Sequence, residues 1–288
     1  MKIDKIAIIL LNYNSSDDCR KCISFLKKQQ GVDTEIIVVD NSSRDDDKKA
    51  VEKLCQQEQC TFITSTENRG YNAGNNIGLR YAAKKGYEYA LIANPDMEFP
   101  QHDYLAKTVA CIKEREDVVV VASDIVSPNG IHQNPYSFDE DWNRSFAWLK
   151  LIFNKINKEN NKKRYNKSGY CEMVTGCCLL VHTKFIQQIN FFDEYPFLYC
   201  EESILARQVQ IAGKKMYYLS EKQAIHRHIK SAKGNPIPRF KQLARSKIYF
   251  LNKYSNRNWF SKKIAILSAK LHIWSMMLIC KLRNETTI

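Results

Sequence analysis

The 288-residue chain contains no Gly-x-Gly-x-x-Gly and no Walker loop, which removes support from a dinucleotide-binding turn and from a P-loop. Cys19 and Cys22 form a CxxC, but no second pair completes a zinc site, and Asp17 to Gln29 reads as a helix. The ten cysteines are therefore expected to be reduced and buried in a cytoplasmic protein. No signal peptide is visible, because Met1-Lys2-Ile3-Asp4 runs straight into a strand. RNA-binding and helix-turn-helix signatures are missing, and there is no internal repeat. Acidic residues are the scarcer charge: 31 Asp and Glu stand against 44 Lys and Arg, a net charge of +13. That excess suits an anionic partner, whether nucleic acid, an acidic membrane surface or a phosphorylated substrate. A basic nucleic-acid-binding protein rests on this charge alone, so no nucleic acid is expected as partner.

What the sequence does have is a regular first hundred residues. Lys5 to Asn12 and Glu35 to Val39 are continuous apolar runs, which suit parallel strands covered on both faces. Thr61 to Ser65 and Glu88 to Ala93 read as two more strands. Helices are expected after Ser15-Ser16, from about Asp45 to Gln57, and from the Asn68–Asn76 loop through Lys84. Four β-then-α units predict an α/β, doubly wound, mostly parallel sheet. Further on, helices are expected over Asp103–Glu114 and Glu201–Ala212, and from Arg239 onward. Strands are expected over Val118–Val126, Val174–Val181, Lys214–Leu219 and Gln223–His228, and a basic, Asn-rich loop over Asn154–Lys167.

Several polar residues fall where chemistry is possible. The strand ending at Ala93 is stopped by Asn94-Pro95, and Asp96 is left just past its C-terminal end. Ligands of open α/β sheets sit at that edge, and a carboxylate there can hold a divalent cation that holds a diphosphate. The competing reading is a solvated turn. Asp40 ends another strand and can accept from a base or ribose hydroxyl, or can simply form the turn. The stretch from Asn68 to Asn76 places Gly and Asn where backbone turns tightly or approaches a ligand. Glu201 and Glu202 open a helix; they complement its dipole, or one of them is a general base against apolar walls. His226 and His228 alternate on one strand face, as surface residues, metal ligands or phosphate contacts.

Taken in order, Leu11-Asn12-Tyr13-Asn14, Val38-Val39-Asp40-Asn41-Ser42-Ser43, Glu67 through Asn76, and Ala93-Asn94-Pro95-Asp96 resemble glycosyltransferase family 2, in its rhamnosyltransferase-like branch of bacterial polysaccharide and O-antigen assembly. Downstream, Thr175-Gly176-Cys177-Cys178, Phe192-Asp193-Glu194, Tyr199-Cys200-Glu201-Glu202, Arg207, Gly213, His226 with Ser231, and Arg245-Ser246-Lys247 through Lys253 agree with it. The resemblance covers roughly residues 4–255. It implies a GT-A fold and inverting transfer of a sugar, rhamnose among the candidates, from a dTDP- or UDP-linked donor to a glycan or lipid-linked acceptor. Leu11, Asn12, Tyr13 and Asp40 would line the nucleoside pocket, and Asn68, Gly70, Asn72, Asn75 and Asn94 would complete the donor site. Asp96 matches the last Asp of the family's metal motif and would hold Mg²⁺ or Mn²⁺, with His226 as a further ligand; Asn94 replaces the first Asp. Glu202 falls where the family has its general base, usually Asp, and Ile204 stands where another Asp is common. A degenerate nucleotide-sugar-binding protein without catalysis is the alternative.

The expected organisation is a catalytic domain over residues 1–238, split into a nucleotide-sugar half (1–100) and an acceptor half (101–238), followed by a helical region at 239–288. From Arg239 to Arg283 the tail carries no acidic residue. Ile264, Leu267, Leu271, Trp274 and Leu278 recur at helical spacing. Lys270 and His272 in the middle weigh against a membrane span, since a central Lys costs about 2.5–3.5 kcal/mol. Peripheral attachment to the anionic inner face of the cell membrane is expected, against packing on the catalytic domain or in a homodimer.

Overall fold

The structure, a computed structural model, describes residues 5–146, 165–227 and 237–285. His228, Ser231 and most of the Asn154–Lys167 stretch lie outside the described residues. The first half is the expected βα series. Strands β1 (Lys5–Asn12), β2 (Asp33–Asp40), β3 (Thr61–Thr64) and β4 (Tyr89–Ala93) alternate with helices α1 (Ser16–Leu26), α2 (Asp45–Glu58) and α3 (Tyr71–Lys84). They lie in the order β3-β2-β1-β4, every pairing parallel. The continuous apolar runs are explained by burial on both faces. One core sets Ile8 and Leu10 against Cys22, Leu26 and Leu54 of α1 and α2, and the other sets Ile9 against Leu79 of α3. Helix α3 packs on β1 so closely that a Cβ on Gly74 would stand 2.5 Å from Leu11 Cδ1.

The second half consists of β5 (Met97–Glu98), α4 (Tyr104–Lys113), β6 (Val118–Val126), α5 (Phe138–Arg144), β7 (Gly169–Cys171), β8 (Cys178–His182), α6 (Thr183–Gln188), α7 (Glu201–Ile211), β9 (Lys215–His226), α8 (Ile237–Lys253) and α9 (Trp259–Glu285). The sheet continues β4-β8-β6-β9-β5, with β7 on β9. Pairings β4–β8, β6–β8, β5–β9 and β7–β9 are antiparallel and β6–β9 is parallel, so the sheet is mixed here.

Three sequence expectations are corrected. The strand expected from Val174 starts only at Cys178; before it, Thr175 N binds the Asn134 side chain and Tyr136 pairs Met173, which draws this stretch out of the ladder. The two strands expected at 214–219 and 223–228 are one, β9, kept continuous by an irregularity where Leu219 pairs Ser123 and Gln223 pairs Asp124. Helix α5 was not expected; it is set by a capping box in which Ser137 and Glu140 satisfy each other's backbone N–H.

Candidate functional site

The ends of β1, β2 and β4 converge at the point where strand order reverses around β1, the usual ligand crevice of such sheets. Asn12 is fully buried there. Its Nδ2 donates toward Asp40 Oδ1 and Asp47 Oδ1, both at 2.9 Å, and Ser43 Oγ lies at 3.1 Å. Asp47 Oδ2 accepts from Ser16 N at 3.0 Å, so α1 is capped from α2 and not by the side chain of Ser15. Burial alone would raise the Asp47 carboxyl; hydrogen bonds from Asn12, Ser16 and Ser15 outweigh it and hold the group below its ordinary value. Asp40 is fully buried as well, and its Oδ2 accepts from Ser43 N at 3.2 Å. Both Asp40 oxygens thus shape the loop after β2, at the strand end where a nucleoside contact is expected. Leu11 is likewise buried, beneath Gly74. Tyr13, 53% exposed, is the large side chain that this edge offers to a ligand.

At the end of β4, Asn94 O accepts from Met97 N at 3.2 Å and closes a turn around Pro95-Asp96. Asp96 O accepts from Arg227 N at 2.9 Å, and Met97 pairs with His226, so β9 holds this turn from the far side. That register brings His226 Nε2 to 3.4 Å from Asp96 Oδ1, while His226 Nδ1 lies 3.2 Å from Gln133 Oε1. Among the described residues no group of three or more His, Cys, Asp and Glu is gathered as a metal cluster.

The Asn68–Asn76 stretch acts mainly on the protein itself. Gly70 has φ +100°, and a Cβ there would stand 2.2 Å from Phe197 O. Tyr71 N donates to that oxygen at 2.9 Å. Asn72 Nδ2 donates to Asp193 O at 2.8 Å, Asn76 exchanges hydrogen bonds with Phe192, and Asn75 Nδ2 turns back to Tyr71 O. Asn68 Oδ1 accepts from Asn41 Nδ2 and Gly70 N. These contacts give Asn72 and Gly70 a scaffolding role at the 190–200 loop, one by its bond to Asp193 O and the other by leaving room for Phe197, while Asn75 Nδ2 stays within α3 on Tyr71 O. From the other side, Asp193 Oδ2 accepts from Tyr249 at 2.7 Å, Tyr254 at 2.5 Å and Lys253 at 2.9 Å, and Ser246 Oγ donates to Leu198 O at 2.7 Å. Burial works to raise the Asp193 carboxyl; the Tyr254 and Tyr249 hydroxyls, Tyr195 N–H and the Lys253 ammonium overturn it and hold the group below its ordinary value.

This clamped loop delivers the carboxylate pair. Tyr199 (φ +74°) and Cys200 (φ +65°) are both left-handed, a conformation that costs about 1–3 kcal/mol per non-glycine residue and persists only under surrounding constraint. Glu201 and Glu202 follow at the start of α7. Glu202 Oε1 accepts from Gly176 N at 3.1 Å. Gly176 O in turn lies 2.9 Å from the Tyr71 hydroxyl, which is also 2.9 Å from Asn94 Oδ1. One chain of polar contacts thus joins the β4 turn to Glu202. Burial, and then the neighbouring Glu202 carboxylate, push the Glu201 carboxyl up to about 8. Both glutamates line a cavity of about 960 Å³ that also includes Asn94, His226, Gly176 and Tyr71.

Asp193, Tyr71 and Gly176 belong to motifs legible in the sequence, but their clamping and linking roles are visible only once loops far apart in the chain are juxtaposed. Lys247, of the Arg245-Ser246-Lys247 motif, forms a part-buried pair with Asp141 at 2.7 Å on the cavity wall. Ile204 is fully buried against Phe250, Leu251 and Ala265, so this position serves the docking of α8 and α9. Cys19 and Cys22 are free, buried thiols raised by burial.

Comparison with known proteins agrees with this geometry. Residues 7–187 match the family described as glycosyl transferase family 2. The low-salt glycan biosynthesis hexosyltransferase Agl10 of Haloferax volcanii is 28% identical over 201 residues, 69% of this chain and 60% of its own length. The rhamnosyltransferase WbbL of Escherichia coli is 25% identical over 233 residues, 77% of this chain and 83% of that protein. A mannosyltransferase of Pyrobaculum calidifontis, solved with GDP-Man and Mn²⁺, superposes with TM-score 0.62 at 17% identity, over 95% of this chain and 70% of that one. TarS of S. aureus, solved with UDP-GlcNAc, gives TM-score 0.55 at 19% identity, over 91% and 70%. These structural likenesses establish the GT-A fold. The match to the archaeal relative spans less than two thirds of that protein's length.

Proposed function

The chain belongs to glycosyl transferase family 2, and from that membership we propose that it is an inverting glycosyltransferase, moving a sugar from a nucleotide-diphosphate donor to an acceptor hydroxyl activated by Glu202. The observation that carries this reading is the contact chain from Asn94 through Tyr71 and Gly176 to Glu202, which ties the turn after β4 to that carboxylate around one cavity. The acceptor oxygen attacks the anomeric carbon, its proton passes to Glu202, and the bond to the diphosphate breaks with its electron pair leaving on phosphate oxygen. Attack from the face opposite the leaving group inverts the centre.

Asp96 and His226 are the residues that would hold a divalent cation, Mg²⁺ or Mn²⁺. The two donors that would hold it, a carboxylate oxygen and an imidazole nitrogen, face each other, with Asp96 Oδ1 and His226 Nε2 3.4 Å apart. The ion, when bound, supplies positive charge to a departing diphosphate. Tyr13 is suited to stack on the base, above the loop that Asn12 and Asp40 order. The similarity to a rhamnosyltransferase favours rhamnose among hexoses and polysaccharide assembly as the setting. The exposed basic and apolar face of α9 favours work at the inner face of the cell membrane. The test is a donor screen by mass spectrometry, with UDP-, dTDP- and GDP-sugars, with and without Mn²⁺. Cation-dependent release of sugar from one donor class is expected; binding without turnover of any donor or acceptor extract would leave a nucleotide-sugar-binding protein.

A further inference from the structure

The cavity beside Glu202 has a further polar wall, built after β6 and outside every stretch on which the family resemblance rests. There the chain turns back at Pro128-Asn129-Gly130 and returns along the end of β6, with Ser127 N donating to Ile131 O at 2.9 Å and Gln133 N to Ile125 O at 2.8 Å. His132 sits in that return and lines the cavity. Two contacts fix its ring. Nδ1 lies 2.8 Å from Asp124 Oδ1; a carboxylate oxygen accepts, so Nδ1 carries the proton. Asp124 is 4% exposed, and its Oδ2 accepts from Gln223 Nε2 at 3.1 Å. The irregularity in the β6–β9 pairing falls at this residue, the device by which a sheet re-aims a side chain. Tyr165 stacks flat on the imidazole, with 4.3 Å between ring centres and 7° between planes. With Nδ1 turned to Asp124 and one face covered, the neutral ring meets the cavity along its Nε2 edge, and Nε2 is a lone-pair acceptor.

The same stretch is tied to the carboxylate. Asn134 is fully buried; its Nδ2 donates to Ser123 O at 2.9 Å, and its Oδ1 accepts from Thr175 N at 2.7 Å. The next residue, Gly176, gives its N–H to Glu202. One frame thus holds His132 and Glu202 around one space. Strand direction places the ring on the acceptor side. β6 is antiparallel to β8, and β8 to β4, so the end of β6 opens on the same edge as β4, two places further from the β1–β2 nucleoside corner. A base alone serves any hydroxyl that reaches it. A second fixed contact decides which hydroxyl of a polyhydroxylated acceptor does so.

Resting on the transferase reading of the same cavity, we infer that His132 is an acceptor-selecting residue: its Nε2 accepts a hydrogen bond from a hydroxyl next to the one that Glu202 activates, and Asp124 positions the ring for it. The test is ring-nitrogen NMR of the full chain with isotope-labelled histidine, titrated with the methyl glycosides of rhamnose, glucose and N-acetylglucosamine in the presence of UDP. The His132 signals are assigned by their loss in His132→Gln. At least one glycoside should move the Nε2 signal and leave Nδ1 in place. Two variants separate recognition from mere support of Asp124. Asn keeps a donor at the Nδ1 position and stops short of Nε2; Gln reaches the Nε2 position and gives up the Nδ1 donor. His132→Asn should weaken that glycoside by about tenfold and His132→Gln by about threefold or less. Where the glycoside is elongated, its KM should follow the same ranking, with a smaller change in kcat. An Nε2 signal silent to all three glycosides would overturn the inference. So would binding that survives His132→Asn and is lost in His132→Gln, which would leave the ring as a partner of Asp124 only. A fall in kcat at unchanged acceptor KM would overturn it too, by making the ring a base. Donor turnover with a silent Nε2 overturns this inference alone. A glycoside that moves Nε2 without any nucleotide-sugar turnover overturns the transferase reading and leaves the contact standing.

Discussion

Two carboxylates adjacent in sequence are set to different work by their surroundings. Glu202 accepts from Gly176 N, whereas Glu201 is buried beside it and is pushed up to about 8. We predict that Glu202→Gln lowers turnover by about a hundredfold or more, with donor affinity nearly unchanged. Glu201→Gln should cost less, since Gln resembles the protonated acid; a larger loss for Glu201→Gln would move the base by one residue. The same shift has a stability consequence. With its folded pKa above the unfolded value near 4.5, Glu201 takes up a proton on folding, so its contribution is present below that value and is lost as pH rises toward about 8. Glu201→Gln should therefore raise the melting temperature at pH 8 by about 2 °C or more relative to the unaltered chain, and by less at pH 5. Melting curves at the two pH values, with the opposite ordering, would refute the assignment. At the donor edge, Asp96→Ala should abolish turnover and cation-dependent nucleotide binding while leaving melting unchanged. Full activity of that variant in excess chelator would end the metal reading.

At the scale of elements, the nucleotide half was legible and the acceptor half only partly so. Strands β1, β2 and β4 declare themselves as apolar runs because both faces are covered, and Asn94-Pro95 declares its own stop. Asp96 and Glu202 were placed at element ends by the same patterning, while the choice of Glu202 over Glu201 came only with the family resemblance. The second half was harder because its pairings are long-range and its turns are set by side chains, such as Asn134 capturing Thr175 N. The asparagines after Asn68 could be read as ligand contacts because an amide is equally suited to a ligand and to a backbone carbonyl. Only the placement of Phe192 and Asp193 opposite them shows that Asn72 and Asn76 bind that loop. Asp193 then fastens that loop to the end of α8. Asp193→Asn should weaken this clamp at a cost of about 2–3 kcal/mol, the range for hydrogen bonds to a charged group. Turnover should fall while nucleotide affinity holds, since the glutamates move and the β1–β4 edge does not. Equal losses in both would show that the loop serves the donor pocket instead.

For the whole molecule, the charge excess and the C-terminal helix bear on where catalysis happens. Among the described residues no helix is long and apolar enough to cross a membrane. Yet Phe260, Ile264, Leu267, Leu271, Trp274 and Leu278 all stand exposed along α9, Leu267 at 56% and Trp274 at 64%, while Ala265 and Ser268 face the protein. The alternating steps of four and three suit either a second helix or a flat apolar surface. Charge decides between them. Lys263 and Lys270 flank the stripe, and no acidic residue occurs from Arg239 to Arg283 to pair with them in a second copy. An anionic bilayer supplies that complement, at about 1 kcal/mol per basic side chain near its surface. We predict that the full chain sediments with vesicles containing phosphatidylglycerol and not with phosphatidylcholine alone, and that raising salt releases it. The double substitution Leu267→Glu and Leu271→Glu should remove binding without lowering the melting temperature, because neither side chain is buried. If the chain instead ignores vesicles and light scattering shows a dimer that this substitution dissociates, the stripe is a subunit interface. The cavity's α9 wall would then be buttressed by a second copy rather than by lipid.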